Sequence, residues 1–275
     1  MFAALKRMMS DSPTKLIDVI GDAPLPSFPK VANQALDKLR DPATSLRDVG
    51  TILERDPNMS VSLLRTVNSA AFGLRRPCSS IGHAASLLGR TQLEGLVLAV
   101  AVKSTSPKRV QGVNRTRFWK TAARRASIAR AIATAVSPRL ASEAFTAGLL
   151  QDLAVPLIAQ RKKGYSEVLA AWHGGEGDLD DLEKQRFGWD HAEIGGLLAK
   201  KWTFPEGLLN AISGHHSDDA DAPSGIVGMI HESANDLDQL IEQANSRYGI
   251  PRDSVVLAIA TGDAEAAGLH ALWAK

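Results

Sequence analysis

Apolar side chains recur along most of this chain at intervals of three and four residues, the period of a helix with one buried face. Lys30–Leu39 carries Val31, Ala35, Leu36 and Leu39. The next segment carries Leu46, Val49, Ile52 and Leu53 behind a Thr44 or Ser45 cap, with Asp48 completing a capping box. A third holds Met59, Leu63, Leu64 and Val67 after the Asp56-Pro57 break, with Asn58 as its cap and Phe72-Gly73 as its end. Ile81–Leu88 stops at Gly89, and Thr91 with Glu94 opens another helix. Beyond a polar stretch at 104–114, a long helix runs from Arg115 to Val136 and ends at Ser137-Pro138. Glu143–Gln160 follows as a single helix, with Leu149, Leu150, Leu153, Leu157 and Ile158 on its apolar face.

The remainder predicts helices at Ser166–Trp172, Leu179–Phe187, His191–Trp202, from Pro205 to Ser213, at Gly225–Ile241 and at Pro251–Trp273. Ser12–Ile20 is a short helix before the proline-rich entry Ala23–Pro29. No stretch alternates with period two for long enough to make a strand. The expectation is an all-α, two-lobed helical bundle. It comprises an extension (1–22), an amino-terminal lobe (23–103), a linker (104–114), a second lobe (115–240) and a helical tail (241–275).

Composition adds limits. With 275 residues, 44% hydrophobic and 23% charged, the chain is typical of a globular protein with a sizeable core. The net charge of +2 does not point to nucleic acid. The single cysteine, Cys78, excludes an internal disulfide and fits a reducing compartment. The most apolar window, Leu93–Val102, contains Glu94 and falls far short of the roughly 20 residues of a bilayer span. The start shows no secretory pattern, so a cytoplasmic protein without membrane insertion is expected.

Several ordered blocks closely resemble the HDOD domain. They are Leu25-Pro26-Ser27-Phe28-Pro29, Asp56-Pro57-Asn58-Met59, Leu64 to Gly73 (LRTVNSAAFG), Ile81 to Gly89, Phe118-Trp119 and Ala147-Gly148-Leu149-Leu150. The series continues with His191-Ala192-Glu193-Ile194-Gly195, Trp202-Thr203-Phe204-Pro205 and His215-His216. The resemblance covers about Pro24 to Leu237. It implies a bacterial, all-helical signal-transduction module, related to HD-type metal-dependent phosphohydrolases that have shed part of their catalytic apparatus.

Such hydrolases hold a divalent metal through a first His, a His-Asp doublet and a later Asp. At the matching positions this chain has Thr121, Gln151-Asp152 and Asn235. A hydroxyl and two neutral amides are poor ligands beside imidazole or carboxylate. The resemblance therefore implies a degenerate site, without metal, cofactor or catalysis. Asp152, His191, His215 and His216 remain as a residual polar pocket. Asp152, a charge in a core-forming helix, requires hydrogen-bonding partners, and His191, after Asp190, sits at a helix start.

One further feature is one-signed. From Gly95 to Ser142 there is no Asp or Glu, while Lys and Arg recur. Arg117, Lys120, Arg124 and Arg125 fall at helical spacing, either as a solvated face with interlobe ion pairs or as an anion-binding ridge. No nucleic-acid motif accompanies them, and aromatic content is only 5%, which disfavours base stacking. Three functions result. The leading one is a non-enzymatic regulatory module that binds a protein partner. The alternatives are a residual phosphohydrolase using Asp152, His191 and His215 or His216, and a binder of a nucleotide second messenger through the basic 103–130 surface.

Overall fold

A computed structural model describes residues 16–19, 21, 24–69, 72–217, 224–232 and 236–273. Among these, every regular element is a helix, and an isolated bridge between Val110 and Val113 is the only β pairing. The order is α1 (Lys30–Arg40), α2 (Leu46–Leu53), α3 (Pro57–Val67), α4 (Ile81–Thr105), α5 (Arg115–Val136), α6 (Ala141–Leu150) and α7 (Val155–Arg161). It continues with α8 (Tyr165–Gly174), α9 (Leu179–Phe187), α10 (His191–Lys201), α11 (Glu206–Ser213), α12 (Ser224–Glu232), α13 (Leu237–Tyr248) and α14 (Arg252–Trp273).

Most boundaries follow the local chemistry. Ser45 caps α2 by accepting from the Asp48 amide. Asp56, not Asn58, caps α3: its carboxylate accepts from the Asn58 and Met59 amides, and Pro57 fills a first-turn position where no amide donor is needed. That helix ends at Val67 rather than Phe72, because the Asn68 side chain turns away to bridge the amide and carbonyl of Cys78. Gly89 (φ 74°, ψ 174°) kinks α4, so the two expected helices are joined by one non-helical residue. By length and composition α4 is the described helix long and apolar enough to cross a bilayer, yet 56% of its apolar window is buried within the fold. Of Ser12–Ile20, residues 16–19 are helical, and the flanking residues lie outside the described ones.

Two expected helices are divided. Gly225–Ile241 becomes α12 and α13. More consequentially, Glu143–Gln160 breaks at Gln151–Ala154 into α6 and α7. Pro156 is the cause: it has no amide to donate, and its ring collides with the carbonyl four residues earlier, that of Asp152. The Asp152 carbonyl instead accepts from Val155, three residues on. Gln151 and Asp152 therefore sit in a turn between two helices.

The core crosses both halves of the chain. Phe28 packs against Trp202 and Phe204 with ring centroids at 4.9 and 6.4 Å, and the Trp202 indole donates to the Pro26 carbonyl. Arg40 reaches across to the Thr203 hydroxyl and carbonyl and to Glu94. α5 is central. A Cβ on Gly148 of α6 would lie 3.1 Å from the Ala126 Cα, and one on Gly262 of α14 would meet the Ile128 backbone nitrogen at 2.8 Å. Both partners of α5 thus approach at backbone distance. α12, α13 and α14 close a second apolar cluster with Ile128, Ile132 and Ala133 of α5.

Candidate functional site

Asp152 occupies the turn that Pro156 creates, facing α5, α10 and the end of α11. Its two oxygens do different work. Oδ2 is held in an ion pair by the Arg125 guanidinium, and both side chains are largely enclosed, at 12% and 20% exposure. Oδ1 lies 3.5 Å from His191 Nε2 and 3.4 Å from His215 Nε2, with the Gln151 amide donating to it at 3.4 Å. The close α5–α6 approach at Gly148 brings Arg125 within reach.

His191 is the first residue of α10, and Asp190 is the cap, accepting from the Glu193 amide at 2.8 Å. The His191 ring turns inward and is fully buried. The buried Glu183 carboxylate fixes its orientation: Oε2 accepts from both the His191 backbone amide (2.7 Å) and Nδ1 (2.8 Å), while Oε1 accepts from the Tyr165 hydroxyl. Because a carboxylate only accepts, Nδ1 carries a proton and Nε2 is the atom presented to Asp152. His215 is set the same way. Its Nδ1 donates to the Ile212 carbonyl at 2.7 Å, so its Nε2 also points inward. His216 completes the group, its Nε2 3.1 Å from His191 Nε2. Donor atoms of His191, His215 and His216 all lie within 4.8 Å of one another.

Behind the imidazoles stands an outer ring of charge. Lys184 bridges Asp180 at 2.9 Å and Asp190 at 3.2 Å, and Asp180 lies 3.9 Å from His216 Nδ1. Burial opposes protonation of His191, but the Glu183 charge and hydrogen bonds to Asp152 and Glu183 outweigh it and hold its pKa well above the usual value. Burial, then the neighbouring His215 and His191, lowers His216 to about 3. Burial and the Glu183 charge push Tyr165 well above its usual range. The network thus pushes the two imidazoles in opposite directions within one pocket.

The residual polar pocket read from the sequence, Asp152, His191, His215 and His216, is brought together. Gln151 is buried beside Asp152, Thr121 lies one helical turn before Arg125 on α5, and Asn235 falls outside the described residues. A guanidinium, not a vacant carboxylate oxygen, faces the α5 side of Asp152, so these positions do not fit an HD-type ion. The basic residues separate as well. Arg124 pairs with Asp263 and Arg130 with Glu265 on α14, Arg125 turns to Asp152, and Arg117 and Lys120 are exposed. Sequence reading missed Glu183, Tyr165 and Lys184. Glu183 carried a signal, since it lies four residues after Leu179 on the buried stripe of α9, a carboxylate where an apolar residue is expected.

A family model for the HDOD domain matches residues 25–218. An uncharacterised protein of Treponema pallidum is 27% identical over 222 residues, 74% of this chain, and the chain spans only 40% of that protein's length. A crystal structure from Shewanella amazonensis, provisionally named a phosphohydrolase, is similar with a TM-score of 0.74 and 27% identity over 93% of this chain and 97% of that one. An HDOD domain protein of unknown function from Geobacter sulfurreducens is similar at TM-score 0.74 and 23% identity, covering 96% and 98% of the two chains, a likeness of fold. With the family model spanning most of the chain, and Phe28, Asp56, Trp202 and the His215-His216 pair all placed by one helical fold, this chain belongs to the HDOD domain family.

Proposed function

We propose that this chain is a non-hydrolytic regulatory domain that acts by binding a protein partner. One observation carries the reading: the Arg125 guanidinium occupies Asp152 Oδ2, and the residue before Asp152 is a buried glutamine. Hydrolysis of the HD type needs an ion there to acidify a bound water and polarise a phosphoryl oxygen. A guanidinium supplies charge but cannot ligate water, and Gln151 offers an amide where the chemistry needs an imidazole. With catalysis gone from the centre, information leaves the domain through its surface.

The test is direct. Purified protein supplemented with Mn, Fe(II) or Zn should hydrolyse neither a generic phosphodiester nor a cyclic dinucleotide above the buffer rate. Turnover that disappears in Asp152→Asn would instead establish the residual phosphohydrolase reading, which the Shewanella relative's name favours. The nucleotide-binding alternative finds less support. Of its four proposed cations, Arg124 and Arg125 already hold carboxylates.

A further inference from the structure

Packing neutralises the carboxylate-free stretch Gly95 to Ser142 unevenly. Towards its middle, Arg124 and Arg130 meet carboxylates of α14, and Arg125 meets Asp152. At its linker end the cations gather instead. Arg115, the first residue of α5, and Lys108 of the linker line one cleft, and neither pairs with a carboxylate among the described residues. Lys103, half-buried in the last turn of α4, stands close enough to Arg115 for that charge to disfavour its protonation. The Arg115 Nε is buried without a hydrogen-bond acceptor among the described residues. A guanidinium N–H shut away from water and left unmatched is costly, and an incoming acceptor removes that cost.

The cleft is held in shape by its surroundings. Pro107, Val110, Val113, Phe118 and Pro156 give it an apolar wall, and Ser106 adds a hydroxyl donor. Val110 and Val113 are joined by their own bridge, and Gly112 between them (φ 79°) is seated on α8, its carbonyl 3.2 Å from His173 Nε2. A Cβ on Gly112 would lie 3.0 Å from the Leu169 Cδ1, so the linker has no slack against that helix. The enclosed depth is about 10 Å3, space for one water-sized group. The cleft therefore admits the oxygens of a compact head group and leaves any larger body outside. Because α5 starts here, the positive end of a 22-residue helix adds to the field of the cations.

We propose that Arg115, Lys108 and Ser106 form a binding site for a dianionic phosphate group, either free phosphate or the head of a small phosphate ester. A guanidinium offers phosphate two parallel N–H donors, and the second cation favours two negative charges over one. The apolar wall receives the body of an ester. This site is separate from the ridge read from the sequence, since Arg117, Lys120, Arg124 and Arg125 do not line the cleft. A bound phosphate ties the linker that follows α4 to the start of α5, where the two lobes connect. It also abuts Pro156, the residue that breaks the helix at Asp152. The domain thereby gains a ligand-dependent joint between its lobes, and the site itself does not depend on the non-hydrolytic reading.

The experiment titrates the full chain with inorganic phosphate, AMP and adenosine at constant ionic strength, by calorimetry and by amide chemical shifts. Saturable binding of phosphate or AMP is expected, with shifts centred on 103–119 and Pro156 and none from adenosine. Tighter binding of AMP than of phosphate assigns the site to an ester, and equal affinity assigns it to free phosphate. Arg115→Gln should weaken binding about tenfold or more, and Lys108→Glu should abolish it. Arg139→Gln and Lys201→Gln, at exposed cations outside the cleft, should leave it unchanged. Absence of saturable binding, adenosine binding as well as AMP, or undiminished binding in Arg115→Gln or Lys108→Glu overturns the proposal. Should Arg115→Gln fail to fold, Lys108→Glu, at an exposed position, and the wild-type shifts decide, and shifts centred elsewhere overturn it. Phosphodiester hydrolysis would refute the non-hydrolytic reading and leave the site intact. Failure of phosphate and AMP to bind would do the reverse.

Discussion

Replacing Arg125 by Met tests the reasoning at its centre. Methionine keeps much of the aliphatic stem's volume and removes only the guanidinium, so the loss is mainly electrostatic. The ion pair with Asp152 is largely enclosed, at 12% and 20% side-chain exposure. Breaking a fully buried pair costs about 3–5 kcal/mol, because the remaining charge is left desolvated. The residual exposure of Asp152 puts this site at the lower end, about 3 kcal/mol. For a chain of this size that corresponds to a fall in Tm of roughly 6–12 °C. Urea unfolding followed by far-UV circular dichroism measures it, with Asp152→Asn and the double variant completing a cycle. The two losses should not add, with a coupling of about 2 kcal/mol between them. A loss below about 1 kcal/mol for Arg125→Met, or additivity within about 0.5 kcal/mol, would show that the guanidinium does not hold Asp152. The case against hydrolysis would then lose its main support.

Three further outcomes follow from other parts of the fold. Glu183→Ala strips the Tyr165 hydroxyl, the His191 amide and His191 Nδ1 of their shared acceptor in a fully buried place, and should cost about 4 kcal/mol by urea unfolding, against about 1 kcal/mol for Tyr165→Phe. Gly262→Ala sets a methyl 2.6 Å from the Ile128 Cγ1 and 2.8 Å from its backbone nitrogen, so α14 should be displaced from α5, lowering Tm and exposing the α5–α14 amides to hydrogen exchange. Burial, reinforced by the Arg115 charge, lowers Lys103 to about 8. The unfolded chain, at about 10.5, then binds more protons between those values, so stability should rise with pH from about 8 toward 10. Lys103→Met should be more stable than wild type below pH 8 and show a shallower rise, and an identical pH profile for the two proteins would refute the assignment.

Much of the fold was legible because helices carry their instructions locally. Arg115–Val136 and Leu179–Phe187 have the predicted bounds, and the all-α class follows from a hydrophobic period that never becomes two. Ser45 and Asp48 announced α2 through their own side chains. Where local signals compete, the reading failed. Asn58 is a good cap by type, but Asp56 sits one residue before a proline already suited to the first turn, and the backbone takes that arrangement. The apolar stripe of Glu143–Gln160 argues for one helix, yet Pro156 removes a backbone donor and blocks the Asp152 carbonyl, which no stripe can offset.

By itself the sequence determined the helical class, the family and the short list of Asp152, His191, His215 and His216, with a glutamine at position 151. It could not say what these residues touch, because the contacts join positions 125, 152, 183, 191 and 216, and such separations are closed only by packing. Tertiary structure decided that Arg125, read as part of a surface ridge, turns inward to Asp152, and that Arg124 and Arg130 are matched by α14. It also decided that Glu183, a carboxylate on the apolar stripe of α9, orients the His191 ring. The physical reason is common to all three: a charge on a helix has no preferred partner until neighbouring helices exclude water from one face and leave one carboxylate or one cation within reach.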